Sequence, residues 1–288
     1  MNLVRVPFVL VDVFTERPLA GNQLCVVPEP VALETDQMQA VAREIGFSET
    51  TFVTEAGGSR YAMRIFTPGG ELPFAGHPSL GTAFVLVSKG IVSSPATQEV
   101  TAGEFRVEAD PATNVARMRQ GAPEFGEPFG DREALARAAG LRPGDMHPSL
   151  PSMPVSTGLA HLMVPAVDRN AVARARPDAA AVGEVVAATG TGGYYLFAAD
   201  GGNAAARLFG AEMGIGEDPA TGSAAGPLGA YLVRHGVVSP GRVIVSQGQE
   251  IGRPSTLVVD VAVERDSLTV HVGGGVAIVG EGVFDLPF

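Results

Sequence analysis

Short runs of alternating apolar and polar residues dominate this chain; most are rich in β-branched side chains and closed by turn residues. Residues 4–14, 50–54, 61–66, 99–109 and 115–119 form one series, and 194–198, 205–209, 242–246, 256–263, 267–272 and 276–284 a second. Each predicts a strand. Helical periodicity is rarer. It marks 35–45, with a Thr/Asp start and Gly46 as its stop, 131–139, capped by Asp131 and followed by Gly140, and the alanine-rich 177–189. Two further helices, 78–89 and 223–235, differ in kind. Leu80, Ala83, Phe84, Val85, Leu86 and Val87 leave the first almost no polar face, which predicts a helix wrapped on every side. Strands outnumber helices and do not alternate with them as a parallel α/β sheet requires. The prediction is an α+β fold in which mostly antiparallel, barrel-like sheets curl around central buried helices.

Those two apolar helices lie in a repeated segment. GHPSLGTAFVLVSKGIVS (76–93) and GSAAGPLGAYLVRHGVVS (222–239) align without a gap at an offset of 146 residues. Gly76/Gly222, Leu86/Leu232, Val87/Val233, Gly90/Gly236, Val92/Val238 and Ser93/Ser239 are identical. Upstream, Arg64-Ile65-Phe66 is echoed by Arg207-Leu208-Phe209, and GNQLCVVP (21–28) more weakly by GLAHLMVP (158–165). A period of half the chain is too long for a solenoid, whose repeats run about 20–50 residues. It implies two similar halves, 1–122 and 123–288, related by a pseudo-two-fold axis with the site between them. The last residues are allowed to pack back on the N-terminal half. The Pro/Gly-rich stretch 121–130 is the expected crossing.

Composition narrows the function. With 288 residues, 45% of them hydrophobic and 18% charged, the chain reads as a soluble globular protein. A net charge of -11 argues against nucleic acid or an acidic membrane as partner. No run approaches the ~18 apolar residues of a membrane span. The N-terminal apolar run is interrupted by Asp12 and reads as a strand rather than a signal peptide, so a cytoplasmic location is expected. Cys25 is the sole cysteine, and no Cys/His cluster has zinc spacing, so neither a disulfide nor a metal is expected.

The candidate chemistry lies in the loops that open the two repeat helices: TPGGELPFAGHP (67–78) and GIGEDPATGS (214–223). A helix start offers unpaired N–H groups and a partial positive charge, which suit a carboxylate or a developing enolate. His77 and Ser223 occupy equivalent places in the repeat. The helix start disfavours an imidazolium, so His77 is expected to be a neutral donor or acceptor. Glu49 stands between Phe47 and Phe52-Val53, and apolar neighbours raise a carboxyl pKa toward the range a proton shuttle needs. Each residue also fits a structural role: the glycines as packing devices, His77 as a helix cap, Asp218 as a turn residue before Pro219, Glu49 as an exposed turn carboxylate. His147, His161, His235 and His271 lie outside these loops and read as structural or surface residues.

Taken as a set, the motifs resemble the PhzF-like phenazine-biosynthesis family, which has the diaminopimelate epimerase fold. They are Asp12-Val13-Phe14 with Gly21-Asn22, Ser48-Glu49-Thr50, Arg64-Ile65-Phe66-Thr67-Pro68, Glu71-Leu72-Pro73-Phe74-Ala75-Gly76-His77-Pro78 and Glu217-Asp218-Pro219-Ala220-Thr221-Gly222-Ser223-Ala224. The resemblance implies two α+β halves, a homodimer, no cofactor, and isomerisation of trans-2,3-dihydro-3-hydroxyanthranilate or a similar small carboxylate. It assigns catalysis to Glu49, His77 and Asp218, with Glu49 the acid/base. Substrate binding falls to Gly76, Gly222, Ser223 and Thr221. Epimerases of this fold use two thiols; here the equivalent turns carry His77 and Ser223, which argues against a two-thiol racemase. Two other readings stay open: an isomerase or epimerase of another small amino or hydroxy acid, and a non-catalytic small-molecule binding protein.

Overall fold

The computed structural model describes residues 3–30, 32–210, 216–265 and 267–287. The chain packs as two compact units, Met1–Arg119 with Gly273–Phe288, and Gln120–Val272. The first unit runs β1 (Val4–Val13), β2 (Asn22–Val27), α1 (Thr35–Ile45), β3 (Glu49–Gly57), β4 (Arg60–Phe66), β5 (Glu71–Leu72), α2 (Gly76–Ser88), β6 (Ala96–Val100), β7 (Gly103–Asp110), β8 (Val115–Arg119). The second runs β9 (Glu124–Phe125), α3 (Arg132–Ala138), β10 (Met153–Ser156), β11 (Ala160–Pro165), α4 (Arg169–Arg174), α5 (Ala179–Thr189), β12 (Tyr194–Asp200), β13 (Asn203–Phe209), α6 (Gly222–Arg234), β14 (Gly241–Gln247), β15 (Ser255–Glu264) and β16 (Ser267–Leu286). β16 starts in the second unit and belongs to the first from Gly273 onward.

In the first unit the strand order is β1-β2-β3-β4-β6-β7-β8, continued by β16. β16 then pairs antiparallel with β1, from Val4 opposite Leu286 to Val13 opposite Val276, and so closes the sheet into a barrel. The second unit orders its strands β16-β15-β14-β13-β12-β11-β10-β9. The sheets are mixed, though most of their pairings are antiparallel as expected. In each unit two joins are parallel, β2 to β3 and β4 to β6, then β11 to β12 and β13 to β14. A helical crossover separates each of these pairs, as a parallel connection requires.

α2 packs against β1, β2, β3, β6, β7 and β8, and every residue from His77 to Leu86 is buried. Its lack of a polar face is therefore explained by its surroundings. Glycine is needed at Gly81, where a Cβ would lie 2.6 Å from Leu24 Cδ2. α6 packs on β10, β11 and β15, with Gly229 in the same predicament 2.6 Å from Val259 Cγ1. Outside the first sheet, α1 buries Met38, Val41 and Ala42 against Val6, Val27, Phe52 and Phe66. The second unit carries α3, α4 and α5 over Leu162, Val164, Tyr194, Leu196 and Phe209.

Three predicted strands are corrected. Residues 99–109 are two strands, β6 and β7, split by a turn into Gly103 at φ 127°. Conversely, 267–272 and 276–284 are one strand. The glycines between them mark crowding rather than a turn: a Cβ on Gly273 would meet Ala116 O at 2.5 Å, and on Gly275 Thr15 O at 2.5 Å. β11 is an added strand. Its residues are buried almost without interruption, so it shows no alternation to read.

Candidate active site

Glu49 is the first residue of β3, delivered there by the left-handed Gly46 that ends α1 and by the two residues after it. In the sheet it lies opposite Leu24. Its Oε2 is buried and has no hydrogen bond among the described residues. The imidazole of His77 stands beside it, with Nε2 3.4 Å from that oxygen. Burial pushes the Glu49 carboxyl up from 4.5 to about 7, against a smaller opposing pull from a Ser48 hydrogen bond. The apolar neighbours Phe47, Phe52 and Val53 foretold that direction.

His77 is the second residue of α2 and is itself buried. Its Nε2 lies 3.3 Å from Gln23 O, a carbonyl that can only accept, so Nε2 carries a proton. That N–H faces both the carbonyl and Glu49. The helix start is not capped by a side chain, since its N-cap is Ala75. Beneath it, Tyr61 donates to Gln98 Oε1 at 2.9 Å, Gln98 Nε2 to Ser79 Oγ at 2.9 Å, and Ser79 Oγ to Ala75 O at 2.7 Å.

The buried carboxylate makes the pH dependence of stability a measurable property. Below pH 4.5 Glu49 is protonated in both states. Between 4.5 and about 7 the unfolded chain ionises it while the folded one does not, so the unfolded state binds fewer protons and stability falls as pH rises. The loss should reach about 3 kcal/mol and level off above pH 7. Glu49→Gln removes it. Urea titrations at pH 4 and pH 8 should show the variant gaining about that much on wild type between the two; a constant difference would mean the carboxyl is not held protonated.

In the second unit, Asp218 is tied to β13 by an isolated bridge, its N–H donating to Leu208 O at 3.2 Å. Beside it Arg207 grips Glu217 through Nε at 2.8 Å and Nη2 at 2.6 Å, and donates Nη1 to Val172 O and Ala175 O. The guanidinium also lies 4.9 Å over the Phe209 ring. Thr221, the N-cap of α6, spends its hydroxyl on Asp218 Oδ2 and its N–H on Gln247 Oε1. Gln247 also donates Nε2 to Asp218 O at 2.8 Å and to Thr221 Oγ1 at 3.0 Å, and accepts from Tyr195 at 3.0 Å. Gly222 O accepts from Gln120 Nε2 at 2.9 Å. Ser223 Oγ lies 3.0 Å from His161 Nε2. Gly214 and Ile215, the first residues of the expected second loop, lie outside the described residues.

The structure thus brings Glu49 to His77 in one unit, and Asp218 to Thr221 in the other. Gly76 is the first residue of α2, and Ser223 pairs with a residue the loop motifs did not contain. Two polar residues were missed. Gln247 had a readable signal, because it shares the inward parity of Val243 and Val245. His161 had none, since β11 does not alternate. Cys25 is buried and its thiol pushed up to about 12, so it is not a thiolate at neutral pH. Among the described residues no group of three His, Cys, Asp or Glu side chains could hold a metal ion, and no helix is long and apolar enough to cross a membrane.

Comparison with known proteins adds the family. A family model described as phenazine biosynthesis-like protein, PhzC-PhzF, matches residues 11–282. A Salmonella typhimurium protein described as an uncharacterized isomerase is 35% identical over 276 residues, covering 91% of this chain and 92% of its own. The trans-2,3-dihydro-3-hydroxyanthranilate isomerase of Pseudomonas chlororaphis is 35% identical over 285 residues, 97% of this chain and 99% of its own. The crystal structure of a Bacillus anthracis phenazine biosynthesis protein of the PhzF family superposes with a TM-score of 0.88 at 29% identity, over 98% of this chain and 99% of that one.

Proposed function

The chain belongs to the PhzC-PhzF phenazine biosynthesis-like family and is an isomerase, and from that premise we propose that it moves a proton within a small carboxylic acid. The reaction is of the trans-2,3-dihydro-3-hydroxyanthranilate isomerase type, with no cofactor. One observation carries this reading: a buried carboxyl, Glu49, with its pKa raised to about 7 and its Oε2 unclaimed by any hydrogen bond among the described residues. A carboxyl that titrates near the working pH is suited both to take a proton and to return it.

In this mechanism Glu49 Oε2 takes a proton from one carbon of the substrate, and the electron pair left behind delocalises into the conjugated system. The same carboxyl then delivers the proton to another carbon on the same face, so no net charge or redox change occurs. His77 Nε2–H, 3.4 Å from Oε2, steadies the carboxylate before it takes the proton and again after it returns it. Asp218 is assigned a catalytic place as a polar residue beside the substrate, and Gly76, Gly222, Thr221 and Ser223 the holding of the substrate. The 146-residue repeat and the identically placed helices Gly76–Ser88 and Gly222–Arg234 support reading the chain as two similar halves.

The test is deuterium exchange from solvent into a panel of cyclic and acyclic carboxylates, read by mass spectrometry. Enzyme-dependent exchange is expected for cyclic dienes bearing a carboxylate. A helix start favours an anion by about 0.3–1 kcal/mol, and up to ~2 when partly buried. Calorimetry should therefore find anthranilate bound about tenfold or more tighter than its amide. Equal affinity would mean that the substrate is not held by its acid group.

A further inference from the structure

His161 is a fully buried histidine of the second unit with an unexplained polar atom. It sits on β11 at 1% exposure, with Nε2 3.0 Å from Ser223 Oγ. Its Nδ1 is buried and has no hydrogen-bond partner among the described residues. That nitrogen faces the backbone of Gly193, where even a Cβ would come within 3.3 Å. Burial pushes the imidazole down to about 4, so the ring is neutral at physiological pH and holds a single proton.

Where that proton sits follows from the surroundings. On Nδ1 it would be a buried N–H with nothing to accept it, the kind of orphan that folded proteins rarely tolerate. On Nε2 it meets Ser223 Oγ, which can accept. Free histidine also prefers protonation at Nε2. Resting on the reading that the start of α6 holds the substrate, we propose that His161 is a positioning residue: its Nε2–H donates to Ser223 Oγ, which leaves the Ser223 O–H to donate to the carboxylate of the ligand. The hydroxyl is thereby turned from a two-way group into a committed donor. In the echoed segment of the first unit the aligned residue is Leu24, also buried, so a strand of this type accepts leucine at the position.

The tautomer can be read directly. Long-range proton–nitrogen correlation spectra of protein labelled with ¹⁵N-histidine, at pH 7 and without ligand, should show His161 protonated at Nε2. The signal is assigned by its loss in His161→Gln. Protonation at Nδ1 would overturn the proposal. Binding supplies the second arm, with anthranilate as the probe. His161→Leu and Ser223→Ala should each weaken it by about tenfold, the worth of a hydrogen bond to a charged group, and the double variant should lose no more than either. His161→Gln, whose amide N–H reaches a similar place, should stay within about threefold. Wild-type affinity in a folded His161→Leu variant, or a loss there without one in Ser223→Ala, would refute the positioning role. If His161→Leu does not fold, the wild-type tautomer decides. Failure of wild type to bind anthranilate would instead sink the carboxylate reading, with the spectra still deciding the His161–Ser223 hydrogen bond.

Discussion

Replacing Glu49 by glutamine is expected to slow proton transfer by about 10⁴-fold, the upper end for loss of a general acid/base. The upper end applies because the same carboxyl both takes and returns the proton in the proposed mechanism. Glutamine keeps the shape and the burial, and Oε2 makes no hydrogen bond among the described residues whose loss would disturb its neighbours. Anthranilate affinity should therefore stay within about threefold of wild type, which separates a chemical defect from a binding defect. The measurement is a single-turnover deuterium exchange set beside calorimetry on the same preparation. Exchange at the wild-type rate would remove Glu49 from the mechanism.

Arg207→Ala should cost the fold about 3–5 kcal/mol, because it leaves the buried Glu217 carboxylate without its partner. The two side chains are 4% and 10% exposed, and the guanidinium also satisfies the carbonyls of Val172 and Ala175. The corresponding pair in the first unit, Arg64 with Glu71, has the same two-pronged geometry but is 29% and 30% exposed. Arg64→Ala should cost only about 1 kcal/mol. Removing both Arg207 and Glu217 should cost less than removing Arg207 alone, since no lone charge then stays buried. Urea midpoints for the three variants and wild type test the ranking. Equal losses at Arg64 and Arg207 would show that burial does not set the strength of these clamps.

What the chain disclosed in advance divides by the kind of signal. The two helices without a polar face were legible because a helix that is apolar all round is stable in water only when other elements enclose it, and their glycine stops fixed the ends. The direction of the Glu49 pKa agrees with the expectation from its apolar sequence neighbours, although Phe52 turns to the other face of β3, against α1. The approach of Glu49 to His77 was not legible, because 28 positions separate them and the packing of α2 on β2 and β3 brings them together. Glycine misled at 273–275. A glycine that opens a turn and one that lets a neighbouring backbone come close look alike in a sequence. His161 stayed hidden for a related reason, since a strand buried on both faces offers no register from which to single out one polar residue.

The barrel of the first unit is completed by the part of β16 from Gly273 onward, which comes after all of the second unit in the chain. Synthesis proceeds from the N-terminus, so residues 1–119 leave the ribosome with β1 still lacking the neighbour that seals it. The second unit, contiguous from Gln120 to Val272, has its whole complement of strands before that happens. The half that is translated first is thus the half whose barrel closes last, on a strand made more than two hundred residues after Glu49.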